Sequence, residues 1–263
     1  MRLTLLRHEL KRNKLSMIIW SSALSFMLGV CVLMYPIMEV QMAELATLFE
    51  SMGAYGEAFG LDELGIGDFM SYFGTECGET LGLGAIMLAA ILGISALSKE
   101  ERDSTAELLL TLPISRSRIA TEKLIAVIIH LLVVNVAVTV ICVLSALAIS
   151  ADASYGQMLL ILLSYLLLQI EVASITFGLS SLIKRGGIGI GIGIGFGFYF
   201  INMIANLAEA VEFLRYITPF GYVNAAHIIS EGYLEPISLI IGVALATVSI
   251  VFAYRRYERK DIA

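Results

Sequence analysis

The sequence predicts an all-α, polytopic membrane protein with six transmembrane helices, an N-terminal interfacial helix and a short helix between the second and third crossings. Three observations carry this. Of 263 residues, 58% are hydrophobic and only 15% charged, with a mean hydropathy of +0.87, more apolar surface than a water-soluble domain of this size uses. The apolar residues fall into runs of about 20, the length that crosses a roughly 30 Å hydrocarbon core at about 1.5 Å per residue. The charges are segregated as well. Six crossings put both ends on one side, and every Lys and Arg except Arg215 then lies on that side, which is the pattern of cytoplasmic termini. Residues 1–263 therefore read as one transmembrane domain.

Residues 1–14 alternate leucines with basic groups. Leu3, Leu6 and Leu10 share one helical face and Arg7, Lys11 and Lys14 another, which suits a helix lying in the headgroup layer; a frayed charged tail is the alternative. The apolar run Leu15–Met38 is too long for a secretory signal and ends in no small-x-small cleavage site. It reads as an uncleaved first span, about Met17 to Tyr35, with Trp20 and Tyr35 at the two interfaces.

Residues 39–79 form an acidic outer segment with no Lys or Arg. Met42, Leu45, Leu48 and Met52 predict one amphipathic helix, ended by Gly53, and Ile66, Phe69, Met70 and Phe73 a second. The segment is either an entrance surface that attracts cationic substrates or an outer loop that merely avoids positive charge. The second span is about Thr80 to Leu97. Segment 98–123 follows, then a third span, about Leu124 to Ile149, and a short outer turn. The fourth span is about Gln157 to Ile183, and Lys184-Arg185-Gly186-Gly187 makes a tight inner turn. The fifth span is about Ile188 to Leu207. A second outer segment, 208–236, leads to the sixth span, about Ile237 to Tyr254.

The fifth span carries glycine at every second position from Gly187 to Gly197. A nucleotide loop is excluded, because Ile192 stands where GxGxxG needs its third glycine and no Walker lysine follows. On a helix, Gly187, Gly191 and Gly195 form one groove and Gly189, Gly193 and Gly197 another, about 200° away. Such grooves accept close helix neighbours or mark a helix that slides.

Segment 98–123 is the longest charged stretch between two apolar runs. Ser104-Thr105-Ala106-Glu107 fits a capping box, Pro113 ends the short helix that follows, and Ser115 offers a second N-cap ahead of Arg116, Arg118 and Lys123. The order Glu100-Glu101-Arg102, Ser104 to Arg116 and Glu122-Lys123 resembles the signature of ABC-2 type ABC transporter permeases, with Ser104 and Glu122 where that family usually or often has glycine. Tyr216-Ile217-Thr218-Pro219-Phe220 is similar to the short Pro-Phe element before the family's last span.

The resemblance implies that this segment is a coupling helix docking on an ATPase subunit through Glu100, Glu101, Arg102, Thr105, Glu107, Leu108, Leu109, Leu112, Pro113 and Arg116. It further implies an exporter in the cell membrane, built from two permease copies, identical or not, and two ABC ATPase subunits. ATP and Mg would bind in the ATPase and none in this chain, which would be no enzyme.

Glu171 is the one carboxylate deep in a span. A charge at mid-membrane costs on the order of 3 kcal/mol or more, so this group faces protein or water, or is protonated. Asn135, Thr139, Asn202 and Asn206 are its candidate partners; Glu171, Asn135 and Asn202 are the candidate substrate path, and a helix-packing hydrogen bond is the alternative. His130 and His227 have no ligand companions and read as satisfied polar groups. His8-Glu9 begins an HExxH-like string, but Arg12 takes the second histidine position, so no zinc motif results.

Glu100-Glu101 resembles the glutamate pair of CAAX-type intramembrane proteases, yet Thr105 stands where their arginine belongs. Cys31, Cys77 and Cys142 make no disulfide framework. Nucleic acid is excluded as a partner, since no basic surface exceeds what membrane orientation requires. Two other classes stay open: an ion-coupled secondary transporter or channel using Glu171, and a membrane anchor or sensor without transport.

Overall fold

The computed structural model describes residues 4–51, 68–103, 105, 114–183, 187–207 and 218–260, and of 41–51 the backbone alone. The described residues form helices and connecting turns, without strands. The helices are α1 (Thr4–Arg12), α2 (Lys14–Ser51), α3 (Phe69–Glu79), α4 (Ile86–Arg102), α5 (Arg116–Ala148), α6 (Tyr155–Ser180), α7 (Ile188–Leu207), α8 (Ala225–Glu231) and α9 (Pro236–Glu258). A π-helical stretch, Thr80–Ala85, joins α3 to α4 without a break. Six stretches are long and apolar enough to cross a membrane: Lys14–Val40, Phe69–Arg102, Arg116–Ala148, Tyr155–Ser180, Ile188–Asn206 and Pro236–Glu258.

Two boundaries differ from expectation. The first span does not stop at Tyr35. Its helix continues through Pro36 to Ser51, so the expected outer segment begins as a helix. A proline in a spanning helix is tolerated where neighbouring groups satisfy the freed carbonyl. The second difference lies at Phe69, Met70 and Phe73, which belong not to a separate amphipathic helix but to the top of the second span. Asp68 caps it, its Oδ1 accepting from the Ser71 amide at 3.2 Å. These side chains are buried, with Tyr35 edge-on to Phe69 at 5.1 Å between ring centres. Protein neighbours, rather than lipid or water, surround this stretch, which is why polar and glycine residues stay helical there.

Helix α4 is the hub. It packs against α5, α6 and α7, while α2 lies on α5 and α9 on α6. Glycine permits the two closest approaches. A Cβ on Gly93 would overlap the Ala173 carbonyl of α6, and one on Gly191 would sit 2.9 Å from the Ala90 carbonyl of α4. The first glycine groove of α7 therefore seats α4, as tight packing requires. Among the described residues, no atom lies within 4 Å of a Cβ built on Gly189, Gly193 or Gly197, so none of those residues fills the second groove. Several hydroxyls inside the bundle bond to carbonyls of their own helix, as from Ser98 to Ile94 and Thr176 to Val172, which satisfies them where no water is present; those of Ser25 and Thr80 have no partner among the described residues.

Residues 218–224, ahead of α8, lie inside the bundle. Thr218, Phe220 and Tyr222 are buried, and Phe220 meets Tyr199 of α7 at 6.3 Å between ring centres. Phe220 and Tyr165 both border Gly82. Tyr165 is ten residues into α6, or about 15 Å along it. Non-helical backbone is stable at that depth because protein encloses it. Residues 218–224 of the expected outer segment are thus an inserted element, and α8 is held to α6 by the Gln157 side chain, which donates to the Ile229 carbonyl at 2.7 Å.

Candidate functional site

Most charged groups with partners gather at one end of the bundle, where α1, the end of α4, the start of α5 and the end of α9 meet. Lys99 of α4 is ion-paired to Glu9 of α1. Lys123 of α5 is ion-paired to Glu100 of α4, lies 3.4 Å from Glu9 and donates to the Ala96 carbonyl at 2.8 Å. All four side chains are buried. Two ammonium and two carboxylate groups thus make a closed, neutral brace across three helices. Burial alone would raise the Glu9 carboxyl, but the Lys123 and Lys99 ammoniums outweigh it and hold its pKa below the usual value.

A second carboxylate fastens α1. Glu122 is 2% exposed, its Oε2 accepts from the Leu6 amide at 2.9 Å, and its Oε1 accepts from Arg118 Nε at 2.8 Å. The Leu6 amide lies in the first turn of α1, where no carbonyl of that helix can reach it, so α5 caps α1 from outside. Helix α9 joins through Lys260. Its Nζ pairs with Glu101 and donates to the Ile183 carbonyl at 3.0 Å. Arg116 Nη1 donates to the Tyr257 and Glu258 carbonyls at 3.4 and 3.3 Å, a cation on the last turn of α9.

This places the expected coupling residues. Glu100 and Glu101 sit in intramolecular ion pairs, and Arg116 caps α9. Arg102 is exposed and bonds Asp103 Oδ1 at 3.0 Å; this bond, ahead of the cost of burial, holds the Asp103 carboxyl below its usual pKa. Thr105 is exposed, and its amide donates to the Glu100 carbonyl at 2.8 Å. Ser115 is the N-cap expected of it, its Oγ accepting from the Arg118 amide. Glu107, Leu108, Leu109, Leu112 and Pro113 lie outside the described residues, as do Lys184, Arg185, Arg215 and the acids between 52 and 67.

The candidate path residues divide. Among the described residues, the hydrogen-bond partner of Glu171 is Tyr222, whose hydroxyl donates to Oε2 at 2.8 Å, and not Asn135, Thr139, Asn202 or Asn206. The carboxyl also leans on Gly242 of α9, where any Cβ would collide with it. Asn135 instead pairs with Gln169, at 2.8 and 3.2 Å in the two directions. Gln169 and Glu171 are two residues apart on one helix, about 200° around it, so these two polar contacts face different neighbours. Asn202 is half-buried on α7.

His130 departs from expectation: it is buried, yet neither ring nitrogen has a hydrogen-bond partner among the described residues. His227 stands edge-on to Tyr233 at 5.2 Å. All three cysteines are free, and among the described residues no three His, Cys, Asp or Glu side chains come together to hold a metal ion. Lys99, Gln169, Tyr222 and Lys260 were not singled out in the sequence, and Glu9 was weighed there only as part of a zinc motif. Of the brace contacts, only Arg118–Glu122 carried a local signal, the i,i+4 spacing.

Six apolar crossings sealed at one end by an ionic brace define a polytopic all-α membrane protein. The chain belongs to the ABC-2 transporter family: the model described as ABC-2 family transporter protein matches residues 3–262. This makes it a permease subunit of an ABC transporter, which implies an ABC ATPase as partner and does not itself carry the ATPase. A search of curated proteins found no match.

Proposed function

We propose that this chain forms the substrate pathway of an ABC exporter in the plasma membrane and takes up the ATPase stroke through residues 100–118. The two termini and the basic end face the cytoplasm. Two permease copies, identical or different, work with two ATPase subunits that bind ATP and Mg. The observation that supports this reading is the brace. It joins both flanks of the 104–113 stretch, through Glu100–Lys123, Glu101–Lys260 and Arg116, to α1, α5 and α9. A push on that stretch would reach four helices as one body.

In this reading Glu100, Glu101 and Arg116 are positioning residues that hold the frame, while Arg102, Thr105, Glu107, Leu108, Leu109, Leu112 and Pro113 face the ATPase. Glu171, with Asn135 and Asn202, is proposed for the path. The test is co-purification with the partner ATPase. Leu108→Asp is expected to abolish association while the permease still purifies as a folded chain, since a charge in an apolar contact is costly. Undiminished association of Leu108→Asp would overturn the coupling assignment. Glu101→Lys is the weaker probe, because it also breaks the pair with Lys260.

A further inference from the structure

A cavity of about 300 Å³ opens at the basic end, between the α1–α2 junction and helices α4 and α5. Its chemistry changes along its length. Arg12, Asn13, Lys99, Arg102 and Asp103 line one end, and Ile91, Leu92 and Ile188 the other. From Ile91 to Arg102, α4 rises about 16 Å. A charged mouth above an apolar floor over that distance matches the headgroup of a phospholipid and the start of its chains. A small hydrophilic anion would leave the apolar floor wet.

The charges at the mouth set the sign of the ligand. Lys99 and Lys123 are committed to Glu9 and Glu100. Arg102 is exposed and paired to its neighbour Asp103, a contact of the kind worth little in water. Arg12 is exposed and has no ion pair among the described residues. One positive charge is therefore in excess, and a second is easily redirected. Arginine suits phosphate because its planar fork can donate two parallel bonds. A choline headgroup would bring its own cation toward Arg12, whereas a headgroup of net negative charge would not.

We infer that this cavity binds one anionic phospholipid from the leaflet at the basic end. Arg12 and Arg102 hold its phosphate, and Ile91, Leu92 and Ile188 contact the first segments of its chains. Arg102 also stands on the surface proposed for the ATPase, so the lipid site is assigned to the chain with no ATPase docked, and its test needs none.

The test is native mass spectrometry of the full chain in detergent, with phosphatidylglycerol or phosphatidylcholine added at equal concentration. One phosphatidylglycerol adduct is expected to survive where phosphatidylcholine is lost. Arg12→Ala and Arg102→Ala should each weaken retention roughly fivefold, as befits one basic group near a headgroup. Leu92→Trp, which fills the floor and leaves every charge in place, should also remove the adduct. Excess inorganic phosphate should leave it intact, because phosphate lacks the chain contacts. Equal retention of the two lipids, unchanged retention in the Arg12→Ala, Arg102→Ala double variant, or displacement by inorganic phosphate would each overturn the assignment.

Discussion

The two buried polar regions of this molecule solve the same problem differently. At the basic end, Glu9, Lys99, Glu100 and Lys123 neutralise one another across three helices. Deeper in the bundle, Glu171 has a tyrosine hydroxyl and Asn135 has Gln169, with no opposite charge paired to either among the described residues. The first region is a closed set in which every member depends on the others. The second is a pair of separate contacts on different sides of α6. The difference suits a rigid handle at one end and a bundle interior whose contacts exchange at low cost.

The largest test of that contrast is Lys123→Met, which leaves Glu100 buried without its ion-pair partner and the brace with one negative charge in excess. Breaking one partner of a buried set costs about 3–5 kcal/mol, so the thermal midpoint of the purified chain should fall steeply. Restoring neutrality with Glu100→Gln in the same chain, which leaves the Lys99–Glu9 pair in place, should recover most of the loss. A single Lys123→Met variant that melts like the parent would show that the ions are not acting as a set.

Acid is the next probe. The Lys123 and Lys99 ammoniums hold the Glu9 pKa below the ordinary glutamate value despite its burial, so its ionised form stabilises the fold. That contribution is fully present above the unfolded value and is lost as pH falls through the folded one. The protection of α1 amides, taken relative to the intrinsic exchange rate at each pH, should therefore hold constant from neutral pH down to about the ordinary glutamate value and fall below it; constant protection throughout would remove Glu9 from the brace. The smallest effects belong to the interior. Tyr222→Phe should cost about 1 kcal/mol and Asn135→Leu about 0.6 kcal/mol, both read as shifts in the same melting curve. Losses as large as that of Lys123→Met would erase the contrast.

The crossings were legible because hydropathy alone decides which residues lipid accepts. The ends were not. The helical spacing of Met42, Leu45 and Leu48 was readable, but its continuity with the first span through Pro36 was not, because acids interrupt the apolar run and a helix that has left the lipid can carry acids without unwinding. The second span is expected from the sequence to start at Thr80, but its helix begins at Phe69, and contacts from Tyr165, Tyr199 and Phe220 enclose it around Gly82. At the site, the spacing of Arg118 and Glu122 and the Ser115 cap were readable because they are local. Lys99–Glu9 spans 90 residues and Lys123–Glu100 spans 23, so only the fold brings them together. Tyr222 was hidden for a related reason: Pro219 and Gly221 advertise a surface turn, and nothing local states that the turn is swallowed by the bundle.

The fastening of α1 to α5 has a mechanical consequence. Helix α1 is held near its start by Glu122 and in its middle by the lysines around Glu9, while α5 continues unbroken for 33 residues. Any tilt of α5 must drag α1 with it, sideways among the lipid headgroups where its sequence predicts it to lie. Each working cycle would then shear the surrounding leaflet, and the stiffness of the host membrane would enter the energetics of the machine.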